Sequence, residues 1–104
     1  MLARIYNFEE IGADGYKIRE IETLNEKADV IARELSAIVA ENPLKKAVAI
    51  VLDLYAGYVL GEALASLRID FMIVFEGDDI DTQQRKVDEA LNAHGRFVLI
   101  VCEG

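Results

Sequence analysis

Apolar residues along the chain change period several times, and each change marks an expected element. Residues 3–8 are rich in strand formers. Residues 15–22 alternate, with Tyr16 and Ile18 on one face and Lys17 and Arg19 on the other. Asp14-Gly15 is a hairpin turn signal and Gly12 suits a bulge, so these two runs predict an antiparallel pair. From Thr23 the period becomes helical. Leu24, Ala28, Ile31, Leu35 and Ile38 form one stripe, and Thr23 and Glu26 have capping-box spacing. Asp29 and Arg33 lie one turn apart on the outer face, and Asn42-Pro43 ends the helix.

Residues 47–75 then read as strand, helix, strand, a unit expected at the middle of the domain. The run at 47–52 has no polar alternation, the pattern of a strand covered on both faces. The helix over 54–67 carries Leu54, Tyr55, Tyr58, Val59, Leu60, Ala63, Leu64 and Leu67, with only Glu62 and Ser66 polar. A helix apolar nearly all round is expected to be buried nearly all round. One sheet covers one side, so a partner is expected on the other. Gly57, Gly61 and Ala65 recur every four residues as a small-residue groove for close approach of a sheet or a second copy. Tyr55, Gly57, Tyr58, Gly61 and Ala65 are therefore the expected interface, with a homo-oligomer or a protein partner on the 54–67 helix.

The second apolar run, 69–75, leads into an acidic loop over 76–81. Asp81 and Gln84 again have capping-box spacing and predict a helix over 82–94, with Val87, Ala90, Leu91 and His94 inward and Gly95 at its left-handed end. Residues 96–102 are a last strand. The expected order is β-β-α-β-α-β-α-β. The fold class is α/β: a small single domain over 1–104 with a mostly parallel sheet, helices on both faces and an N-terminal antiparallel pair.

Composition narrows the function classes. Hydrophobic residues make up 53% and charged residues 29%, which suits a well-buried sheet inside a charged shell. The net charge of −8 and the lack of a basic run argue against nucleic acid and against an anionic membrane surface. The lone Cys102 forms no internal disulfide, and no signal peptide is evident, so a cytoplasmic protein is expected. Asp53, Glu62, Arg68 and Asp70 interrupt the 47–75 stretch and argue against a membrane span.

Candidate chemistry gathers at one edge. Ligands of open α/β sheets bind beyond the carboxyl ends of the parallel strands. Asp53 follows the first of these strands, Glu76, Asp78 and Asp79 the second, and Cys102 and Glu103 the third. Asp53, Glu76, Asp78, Asp79 and Glu103 are the candidate ligand or metal residues, and carboxylate oxygens suit magnesium. No catalytic set is identifiable. There is no P-loop and no strand-linked Gly-x-Gly-x-x-Gly, and Tyr55 stands where phosphatases of the haloacid-dehalogenase type carry their second aspartate. His94 and Cys102 fall at opposite ends of the last strand, which separates the only possible Cys–His pair. The leading expectation is a small cytoplasmic binding or protein-interaction module that self-associates. The alternative is a magnesium-dependent enzyme acting on a phosphorylated substrate at the acidic edge.

Overall fold

The computed structural model describes residues 3–11, 15–21, 27–41 and 45–103. Strands β1 (Ala3–Ile11) and β2 (Gly15–Ile21) pair antiparallel, with Phe8 opposite Ile18. Helix α1 (Ala28–Glu41) follows, then β3 (Lys46–Val51), α2 (Leu54–Ser66), β4 (Asp70–Phe75), α3 (Ile80–Asn92) and β5 (Phe97–Cys102). The five strands form one sheet in the order β2-β1-β3-β5-β4. β1 is antiparallel to both neighbours, while β3, β5 and β4 are parallel. The α/β class, the element order and the N-terminal antiparallel pair at one edge all stand as the sequence implied.

Strand order differs from a simple reading of the 47–75 unit. β3 and β4 are not neighbours; β5 lies between them. β4 is therefore an edge strand, and β3 and β5 occupy the interior. Burial agrees. β5 is buried along nearly its whole length, whereas most of β4 is half-buried. The crossover through α2 passes over β5 to the edge, and the crossover through α3 steps back. The two run in opposite directions and use opposite faces, so they share one hand.

Two cores result. On one face Ile31, Leu35 and Val39 of α1 and Leu60 and Leu64 of α2 pack on Ile5, Ala49, Val98 and Ile100. α1 and α2 also pack on each other. On the other face α3 places Ala90 and Val87 against Val74, Phe97 and Leu99. Because α3 lies over β4 and β5, Tyr6, Ile50 and Val101 on that face stay half-buried. Helices thus cover both faces, with the thicker layer on the α1–α2 side.

Capping chemistry sets the helix bounds. α2 begins where the sequence places it, with Asp53 accepting a hydrogen bond from the Ala56 N–H at 2.8 Å. It ends in a Schellman turn. The Arg68 N–H donates to the Ala65 carbonyl and the Ile69 N–H to the Leu64 carbonyl, with Arg68 in the left-handed region at φ 60°. α3 starts earlier than expected. Asp79, not Asp81, is its N-cap and accepts from the Thr82 N–H at 2.7 Å. It also ends earlier, at Asn92, so His94 lies beyond it and is exposed. Gly95 is left-handed at φ 80°, two residues after the cap residue Ala93. The Thr23–Glu26 cap, the Gly12 bulge, Asp14 and Asn42-Pro43 lie outside the described residues.

Lys46 closes the amino end of the sheet. It is only 6% exposed, and its ammonium donates to the carbonyls of Ala93 at 2.7 Å and Gly95 at 2.8 Å. A cation there satisfies carbonyls left over at the end of α3. Burial, and then the charge of Lys45, hold its pKa below the usual lysine value.

Candidate functional site

The site expected from sequence has two parts: the acidic carboxyl edge and the face of α2. The β3–α2 turn, the end of β5 and the β4–α3 turn lie side by side at that edge, because β5 runs between β3 and β4. The Glu76 N–H donates to the Cys102 carbonyl at 3.1 Å and the Glu103 N–H to the Val51 carbonyl at 3.0 Å, which ties the three strand ends together.

Each edge carboxylate has its own position. Asp53 caps α2 and Asp79 caps α3. Glu103 forms an ion pair with Arg4 of β1. Glu76 is exposed. Asp78 turns back under the loop, where its carboxylate accepts from the Lys86 ammonium at 3.0 Å and from the Phe75 N–H at 3.2 Å. The Lys86 bond, then the Phe75 N–H, holds the Asp78 carboxyl below the usual carboxylate range. The Thr82 N–H does the same for Asp79. Among the described residues no three His, Cys, Asp or Glu side chains gather as ligands for one ion.

The edge also has a cleft of about 190 Å³ lined by Arg4, Ile50, Val51, Leu52 and Glu103. That is below the roughly 300–1,000 Å³ usual for a small-molecule pocket. Its one ion pair is internal, which leaves little to orient a ligand.

Sequence reasoning missed Gln83 and Lys86. Gln83 donates to the carbonyls of Glu76 at 3.1 Å and Asp78 at 3.0 Å, with a longer bond of 3.4 Å to Phe75. Lys86 donates to the Ile73 carbonyl at 3.1 Å as well as to Asp78. Together they hold the acidic loop against α3. Polar residues one turn apart on an otherwise polar helix give no periodic signal, so nothing in the pattern singled them out.

α2 divides the expected interface residues between its two sides. Gly57 and Gly61 are buried against the sheet. A β-carbon on Gly61 would meet the Phe71 ring at 2.6 Å, and one on Gly57 would fall inside the contact radius of Cys102 Sγ. The glycines let α2 lie close on β5 and β4 within the chain, which offsets their cost of about 1 kcal/mol each in a helix. Cys102 is buried and free. Burial pushes its thiol pKa up, and the Asp53 charge adds to that. Such a thiol packs as a small hydrophobe and is a poor nucleophile.

The opposite side of α2 faces outward. Tyr55 is 78% exposed and Tyr58 58% exposed, and Glu62, Ala65 and Ser66 are exposed with them. The protein's own sheet occupies the glycines, while the tyrosines and Ala65 stand on the exposed side. Among the described residues no helix is long and apolar enough to cross a membrane. No family model, curated protein or solved structure matches the chain.

Proposed function

We propose that the chain is a small cytoplasmic binding or protein-interaction module, without a catalytic set of its own, that self-associates through the outward face of α2. One observation carries this reading: Tyr55 and Tyr58 stand one turn apart, mostly exposed, on a helix whose inward side is already filled. Tyrosine combines a large apolar body with a polar tip, which suits it to interfaces that also exist exposed. The charge pattern favours a second copy. The whole chain carries −8, yet Glu62 is the only charged residue within α2, so two copies meet there with little repulsion.

The patch is narrow. A standard interface takes about 800 Å² from each partner, more than one exposed helix face supplies. The expected dimer is therefore weak, with a dissociation constant on the order of micromolar. Sedimentation equilibrium across a micromolar concentration series tests this. The native chain should show a reversible monomer–dimer equilibrium, and Tyr55→Glu/Tyr58→Glu should stay monomeric with an unchanged melting temperature. A native chain that remains monomeric throughout, or a double variant that still dimerises, removes the proposal.

A further inference from the structure

β4 is an edge strand with an unusual composition for that position. Asp70–Phe75 reads DFMIVF, with no proline, no lysine and one charge at its start. Exposed apolar edges of this kind invite pairing with another strand, and proteins usually blunt them. The hydrogen bonds of the β4–α3 turn show how this edge is treated. Residues of a strand direct both backbone groups alternately to one side and the other. The Glu76 N–H bonds β5, so Val74 and Met72 also face β5, while Phe71, Ile73 and Phe75 point to the open side.

Three of those outward groups are already bonded, all in the carboxyl half of the strand. The Ile73 carbonyl accepts from the Lys86 ammonium, the Phe75 N–H donates to the Asp78 carboxylate, and the Phe75 carbonyl accepts from the Asp78 N–H. Gln83 adds a longer bond to that carbonyl and fixes the loop through Glu76 and Asp78. The Asp78–Lys86 ion pair, about a quarter exposed on each side, locks the arrangement. The amino half is treated differently. A groove lies at that end of the strand, lined by Ala65, Arg68, Ile69, Asp70, Phe71 and Met72 together with Phe97 of β5.

We propose that Asp78, Lys86 and Gln83 form an edge lock that limits strand addition on β4, and that opening the lock lets β4 pair antiparallel with β4 of a second copy. A second copy fits because antiparallel pairing brings the exposed Arg68 end of each strand to the exposed Glu76 end of the other. About a two-fold axis at Met72, Phe71 of each copy meets Ile73 of its mate, so apolar faces continue across the junction.

The test uses the Tyr55→Glu/Tyr58→Glu background, where the α2 face is disabled, so the two proposals fail separately. Lys86→Met removes the ammonium and keeps the aliphatic stem. It is compared with its parent by sedimentation velocity and amide hydrogen exchange. The expected result is a new concentration-dependent dimer in which exchange at the Phe71 and Ile73 amides slows by about tenfold or more. Lys86→Arg, which keeps a cationic donor, should stay at the parent's size. A folded Lys86→Met chain of unchanged size overturns the proposal, as does one that associates without slowing those amides. If Lys86→Met does not fold, Lys86→Leu replaces it, since it too removes the donor to the Ile73 carbonyl: a new dimer with slowed Phe71 and Ile73 amides supports the lock, and an unchanged size or unslowed amides overturns it.

Discussion

Gly57 has no room for a methyl group, because Cys102 Sγ occupies the place where one would go. Gly57→Ala is expected to destabilise the chain by about 1–3 kcal/mol despite alanine's better helix propensity. Adding Cys102→Ala should recover part of that loss, so chemical denaturation of the single and double variants checks the contact as a cycle. Gly61→Ala should cost less, since the Phe71 ring it meets is half-buried on the edge strand and has room to turn. Arg68 and Gly95 make the opposite comparison. Both sit at positive φ, 60° and 80°. Arg68→Gly should be neutral or stabilising by up to about 1 kcal/mol, while Gly95→Ala should destabilise by about 1 kcal/mol through backbone strain alone, because nothing lies near its added methyl. At this scale the Gly57–Gly61 spacing was legible as a site of close approach. Which surface approaches was not, since a sheet and a second copy ask the same thing of a helix.

Helix caps show how far local chemistry reads at the scale of an element. Asp53 was legible as the start of α2 because a strand-like apolar run ends just before it. Asp53→Ala should cost about 0.5–2 kcal/mol in thermal or chemical unfolding. For α3, Asp79 and Asp81 compete as caps only two residues apart, and the pattern favoured the wrong one. Asp79 wins because the turn after β4 already directs its carboxylate at the Thr82 N–H. The same turn predicts a pH dependence. Asp78 and Asp79 are held below the ordinary value of 3.8 by their bonds to Lys86 and Thr82. Each therefore adds stability that is fully present above that value and is lost as pH falls through its lower folded pKa. Denaturant midpoints measured from neutral to acid pH should fall below the ordinary carboxylate value. Asp78→Asn should flatten that drop and lower the plateau at neutral pH. An unaltered acid limb in the variant would show that the Lys86 contact carries no linkage.

At the scale of the whole molecule, the element order and α/β class followed from changes of hydrophobic period, because sheet and helix demand different spacings. The position of β4 did not. A strand–helix–strand unit reads the same whether the crossover reaches the next strand or skips one, and only β5, arriving last, decides that β4 lies at the edge. The acidic edge was likewise legible as a place and not as an arrangement: the carboxylates follow their strands as expected, but caps, Arg4 and Lys86 claim most of them. The apolar character of α2 pointed to a partner. The structure accounts for its glycines internally and leaves Tyr55 and Tyr58 outward. The most direct measurement of the proposed role is a dilution series followed by backbone amide chemical shifts. The outward residues of α2, from Tyr55 through Ala65, should move together with concentration while α3 stays still. Shifts that do not change with concentration, or that change on other elements and spare α2, would contradict the account.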